Sequence, residues 1–379
     1  MAVKRLQLGF LLTGTAVVLV ACGSSPGARG TATKTTNRSA AGTTSAASTT
    51  TTAPAPGVAA LPTSGPLQVS APIALPFAAD RVTAAESPDG AVFAAPQDPT
   101  SPAPSIAWVV DGNGPAAVAE HTPVGIAALA ADGTNFYAAT YSDLYAYNRQ
   151  SGNPDGQWTM PPVGAANSSD QNLVALTAGG GAVLITVTRG NAVSVYRLNS
   201  STSAGPKLVV RGLGAAVGSD GSIYYERADH RLAALRPNGS STVGPTLAAR
   251  PNGLGGGVQY VNVVAAGAVW VSEPAGQGLD ATYTTYDTTT LAAVGTYSGT
   301  VTSSVADTAA GPLVLESGGT AACGPAAPAS PAACVLRIDE HGATSDPAGV
   351  GAAVTLVGPS PAVIESDTST GQFDLVRLS

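Results

Sequence analysis

Asp220-Gly221-Ser222-Ile223-Tyr224 is the stretch that decides the fold, because its pattern returns at a nearly fixed interval along the chain. A glycine, often after aspartate, stands before a short apolar run. This happens at Gly90 (Ala91-Val92-Phe93), Gly133 (Phe136-Tyr137), Gly181 (Val183-Leu184-Ile185), Gly221 (Ile223-Tyr224), Gly267 (Val269-Trp270-Val271) and Gly311 (Leu313-Val314-Leu315). Ser360 takes the glycine's place before Ala362-Val363-Ile364. The successive spacings are 43, 48, 40, 46, 44 and 49 residues. A repeat of about 45 residues with four strands per unit is the mark of a propeller blade.

Each unit reads alike. An apolar strand runs into a glycine turn, as at Asp89-Gly90, Asp132-Gly133 and Asp220-Gly221, and Asp-Gly suits the positive φ angles of a two-residue hairpin. A second strand follows. The third alternates, as in Asp143-Leu144-Tyr145-Ala146-Tyr147, Val193-Ser194-Val195-Tyr196 and Cys334-Val335-Leu336-Arg337-Ile338. No segment sustains a 3.6-residue apolar period. The expectation is an all-β, seven-bladed β-propeller of four-stranded antiparallel blades over residues 64–379. A β-sandwich is the rival, but it needs no repeat of constant length.

Two stretches sharpen this. Tyr283-Thr284-Thr285-Tyr286-Asp287-Thr288-Thr289-Thr290-Leu291-Ala292-Ala293-Val294-Gly295-Thr296-Tyr297 resembles the YVTN-type propeller repeat, in which a strand ends in Asp-Thr, turns and returns. Leu144 to Trp158, with Ser151-Gly152, is similar to the quinoprotein-like repeat. The resemblance implies an extracytoplasmic propeller that binds or scaffolds. The cofactor-binding residues of true quinoproteins find no match, so no cofactor is expected.

The N-terminus carries an address. Lys4 and Arg5 precede an apolar run from Leu6 to Val20, too short to span about 30 Å of hydrocarbon but suited to a signal-peptide core. Leu19-Val20-Ala21-Cys22 then resembles the lipobox of bacterial lipoproteins. The resemblance implies a signal peptide over 1–21, cleavage before Cys22, lipid on its thiol, and anchoring to the outer face of the cell membrane. From Gly23 to about Thr63 the chain is nearly all Ser, Thr, Ala, Gly and Pro, without acids or aromatics. Such a segment buries too little apolar surface to offset chain entropy. Residues 22–63 therefore read as a lipidated cysteine and a disordered tether, with a reach of roughly 35 Å.

With Cys22 assigned to lipid, Cys323 and Cys334 remain, flanking the Pro/Ala/Gly-rich run Gly324–Ala333. In an oxidising compartment they read as a structural disulfide closing an inserted loop between the second and third strands of blade six.

Chemistry-bearing residues are sparse. The three histidines, His121, His230 and His341, stand in polar turns, the last two beside carboxylates. No phosphate loop, nucleophile elbow or metal-ligand spacing appears, so no catalytic residue and no metal ligand are named. An enzyme with its site in the central funnel, a lyase or hydrolase, stays open as the alternative. It would need two or more histidines and carboxylates to converge there.

Charge is uneven. The chain holds 17 Lys/Arg and 24 Asp/Glu; five of the basic residues and none of the acids precede residue 63, leaving 12 against 24. Such an acidic domain is a poor partner for nucleic acid. Yet Arg189, Arg197, Lys207, Arg211, Arg227, Arg231, Arg236 and Arg250 share a segment with only Asp220, Glu226 and Asp229. They form a candidate sector for an anionic envelope polymer, lipid headgroup or acidic protein. The domain is otherwise expected to be a monomer.

The last unit runs out of chain after Phe373-Asp374-Leu375-Val376-Arg377-Leu378, while Leu67 to Leu75 precedes the first blade unassigned. An unpaired sheet edge is costly if buried and sticky if exposed, so these two segments are expected to pair and close the ring.

Overall fold

A computed structural model describes residues 66–379 except 80, 89, 98–106, 112–113, 120–124, 162–171, 180, 190–191, 200–203, 249–260, 275–279, 301–303, 309–310, 328–331, 359 and 368–369. The signal peptide, Cys22 and the tether lie outside the described residues, as do His121 and Arg250.

Strand β1 (Ile73–Ala78) opens the fold. Blade one is β2 (Val82–Glu86), β3 (Val92–Pro96), β4 (Ala107–Asp111) and β5 (Gly114–Ala119). Blade two is β6 (Ala128–Ala131), β7 (Asn135–Ala139), β8 (Asp143–Asn148) and β9 (Pro154–Thr159). Blade three is β10 (Asn172–Gly179), β11 (Ala182–Arg189), β12 (Ala192–Asn199) and β13 (Lys207–Gly212). Blade four is β14 (Gly214–Val217), β15 (Ile223–Glu226), β16 (Arg231–Leu235) and β17 (Ser241–Thr246). Blade five is β18 (Val261–Ala265), β19 (Ala268–Pro274), β20 (Asp280–Asp287) and β21 (Ala293–Thr300). Blade six is β22 (Ser304–Thr308), β23 (Gly311–Ser317), β24 (Ala333–Ile338) and β25 (Thr344–Val350). Then come β26 (Ala353–Val357), β27 (Ala362–Asp367) and β28 (Gln372–Arg377).

These strands form seven four-stranded antiparallel sheets. Six are built from four consecutive strands; the other is composite, in the order β1-β28-β27-β26. The first strands of neighbouring sheets touch from β2 to β10 and from β14 to β26; β11 and β12 meet β14, and β26 meets β2. The fold is an all-β propeller with four-stranded antiparallel blades.

The ring is joined by both chain ends. Ile73 pairs with Leu375, Ala74 with Asp374 and Ala78 with Gln372. An isolated bridge joins Val69 to Leu378, and Gln68 exchanges backbone hydrogen bonds with Ser379. The expected closure is present, though the continuous ladder starts later than Leu67. Pro72 has no N–H to give, which breaks the pairing between Val69 and Ile73. Leu75 at 1% exposure and Leu67 at 7% anchor this strap in the core.

The glycine positions read from the sequence occupy the turns between first and second strands. Gly90, Gly181, Gly221, Gly267 and Gly311 have φ between 69° and 93°, where a Cβ is penalised. Apolar residues from adjacent sheets interleave in layers. Phe93 stacks on Phe136 between blades one and two, and Trp270 meets Tyr283 and Tyr297 edge-on or nearly so in blade five. Ala and Val dominate these layers because the inner strands are packed on both faces.

Two faces and the candidate site

Strand direction alternates, so the turns alternate between two faces of the ring. Connections from first to second and from third to fourth strands share one face. Those from second to third strands, and from each blade to the next, share the other.

The first is a tight-turn face, on which no connection between strands exceeds seven residues. Several of its polar side chains bond the backbone of their own turns. Asp132 Oδ1 accepts the N–H groups of Thr134 and Asn135, Asn148 Oδ1 those of Gln150 and Ser151, and Asp220 Oδ1 that of Ser222. Asp287 Oδ1 accepts those of Thr289 and Thr290, and Asp339 Oδ1 those of His341 and Ala343. The Thr290 bonds hold the Asp287 carboxyl below the usual range, since they favour the charged form.

Two further acids tie neighbouring blades on this face. Glu86, fully buried at the end of β2, accepts the Ser360 N–H at 2.8 Å from the composite blade. Asp307, at the end of β22, accepts the Ala266 N–H at 2.6 Å from blade five. Ala266 has φ of 57°, an unfavourable value for a residue with a Cβ, and this bond helps to hold it there. Burial raises the Asp307 carboxyl, partly countered by the Ala266 hydrogen bond.

The opposite face carries the long connections. Ten residues separate β3 from β4, eight β5 from β6, twelve β9 from β10, fourteen β17 from β18 and fifteen β23 from β24. The last of these holds the Cys323–Cys334 disulfide, with Cα atoms 5.6 Å apart and both cysteines fully buried. The bond clamps the loop between the second and third strands of blade six, where the cysteine spacing placed it. Beside it, Glu316 at 1% exposure lies opposite Cys334 in the β23–β24 ladder. Burial pushes its carboxyl up to about 7, with the Thr300 N–H opposing.

This face also carries the sole described histidine–carboxylate pair in hydrogen-bond contact: His230 Nδ1 is 2.8 Å from Glu226 Oε1. Glu226 is 2% exposed, His230 is half-exposed, and the turn puts His230 at φ of 60°. His341 stands on the tight-turn face, 3.9 Å from Glu340. The two described histidines therefore lie on opposite faces and do not converge. Among the described residues, no group of three His, Cys, Asp or Glu is placed to hold a metal ion.

The basic sector is likewise divided. Arg189, Arg211, Arg227 and Arg231 stand toward the long-connection face, whereas Arg197, Lys207 and Arg236 stand toward the tight-turn face. Several are engaged. Arg231 donates from Nε and Nη2 to the Gly244 carbonyl at 3.0 and 2.7 Å, and Arg227 pairs with Asp229 at 3.2 Å. Arg236 donates to the Tyr224 hydroxyl at 2.6 Å and to the Thr288 carbonyl, joining blades four and five. Burial raises the Tyr224 phenol, while the Arg236 charge pulls it back. Arg236 is a strut between blades.

No family model matches the chain, and no match is found among curated proteins. Solved structures are similar at low identity, two of them WD40 domains. The WD40 domain of Toxoplasma gondii coronin is similar at 9% identity and a TM-score of 0.49, over 83% of this chain and 86% of that one. The WD40 domain of SCAP from fission yeast gives 10% and 0.40, over 82% and 98%. Hsv2 from Kluyvelomyces marxianus gives 7% and 0.43, over 78% and 95%.

Proposed function

We propose that this chain is a membrane-anchored, extracytoplasmic binding or scaffolding module: a seven-bladed propeller of the YVTN or quinoprotein-like type. Lipid on Cys22 holds it, and the 22–63 tether lifts it from the bilayer. The observation that carries the binding reading is the asymmetry between faces. Every long connection lies on one face, and surface loops on a rigid frame are where recognition concentrates. The disulfide-clamped loop of blade six and the Glu226–His230 turn of blade four belong to that face. The ligand in this reading is a protein or an envelope polymer.

Two measurements test it. Cys22→Ala should release the protein from membranes or block its processing; a variant processed and membrane-associated as before refutes the anchor. Crosslinking from cysteines placed in the long connections should capture a partner that cysteines in the tight turns do not. Capture from the tight-turn face alone refutes the assignment of the binding face.

A further inference from the structure

Every sheet ends in an outer strand whose far edge is not hydrogen-bonded to another described strand. Such edges invite pairing with foreign chains, and proteins blunt them with proline, bulges and cover. All seven outer strands here have a register irregularity against their partner. Five also contain proline: Pro76 in β1, Pro115 in β5, Pro154 in β9, Pro245 in β17 and Pro347 in β25. The two without are β13 and β21.

Those two differ. In β21, Gly295 lies against the His341 backbone and Gly342 of the same turn lies against the Thr296 carbonyl, so blade six covers this flank. In β13 the run Lys207-Leu208-Val209 is exposed, with Leu208 at 41% and Val209 at 37%. Arg211, also exposed, follows, while Val210 is buried. The outer edge of blade three thus combines a proline-free strand, two exposed aliphatic side chains and a positive charge at each end.

We propose that β13 accepts an added β-strand from an acidic, extended segment of a partner protein. A second copy of this chain does not suit the site. Antiparallel self-pairing about Val209 sets Lys207 opposite Arg211, and like charges directly opposite each other destabilise a sheet. An acidic strand meets both cations while its backbone completes the ladder and its apolar residues cover Leu208 and Val209. This rests on the binding-module reading and extends it to a second surface, the outer edge of blade three.

The test uses the full chain and a synthetic peptide of alternating Glu, Val and Thr. The expected result is binding with hydrogen-exchange protection confined to 207–212. The double variant Lys207→Glu/Arg211→Glu should weaken it about tenfold. N-methylation of the peptide backbone should abolish it, because that blocks a ladder and leaves the charge. Absence of binding, binding that survives N-methylation, protection centred on 293–300, or a dimer lost on Leu208→Lys each overturns the inference. Crosslinking on the long-connection face is read independently, so failure here and failure of the binding reading are separate results.

Discussion

Glu316→Gln tests whether the loop-bearing side of blade six is as dry as the packing implies. The wild-type carboxyl is 1% exposed and pushed up to about 7 by burial, against an ordinary value of 4.5. Below the ordinary value both folded and unfolded chains hold the proton. Between there and 7 the unfolded chain ionises while the folded one stays protonated, so folding loses stability as pH rises. Above 7 the loss is complete and constant. Each unit of difference corresponds to 1.36 kcal/mol, so the full swing is about 3 kcal/mol. Glutamine does not titrate and still presents an oxygen to the Thr300 N–H. The variant should therefore match the wild type at pH 4 and be more stable at pH 8, with a melting temperature higher by about 5 °C for a domain of this size. Thermal unfolding of both proteins across pH 4–8, without reductant, measures the difference. Groups common to the two proteins cancel in the difference. A melting difference independent of pH, or one favouring the wild type at pH 8, refutes the argument.

Three further outcomes follow from the packing. Leu75→Ala, which empties a fully buried site on the closing strand, should cost about 2–5 kcal/mol and open the composite blade to protease, whereas deletion of residues 24–60 should leave the melting curve unchanged. Replacing Cys323 and Cys334 by serine should cost about 3 kcal/mol in chemical denaturation, and non-reduced peptide maps of the native protein should show the pair joined. Arg236→Met should lower stability by about 2 kcal/mol through loss of its bonds to Tyr224 and Thr288; a variant as stable as wild type refutes its role as a strut.

The repeat made the fold legible because each glycine turn has a local cause. Gly221 or Gly311 is needed for its own φ, so the signal sits at one position and recurs. The third strands of blades two, three and six were readable for the same reason, since alternation is local. The closing strand was readable from what was missing, a partner for Phe373 to Leu378. Its extent was not, because apolar alternation continues through Leu67 and Val69 while hydrogen bonding halts at Pro72. The candidate sites were less legible. Glu86 and Asp307 carry no sequence mark, because each serves a turn on the neighbouring blade. The basic sector looked like one patch because charge was summed along the chain, whereas successive turns go to opposite faces. Arg227 and Arg236 are nine positions apart and on different sides of the ring.

That alternation also sorts the acidic residues. Asp132, Asp220, Asp287 and Asp339 each stand at a turn of the tight-turn face, with one carboxyl oxygen committed to the backbone of the next two to four residues. A carboxylate held in this way fixes a turn. On the other face the arrangement is reversed. Glu226 is buried against a half-exposed histidine, and Glu316 against the base of a clamped loop, so each reports on a segment that reaches solvent. The acids of one face therefore hold its turns, while Glu226 and Glu316 lie beside connections of the other. If the proposed binding face is right, substitutions that alter binding without altering stability should come from the segments between β5 and β6, β9 and β10, and β17 and β18, the three longest connections from one blade to the next.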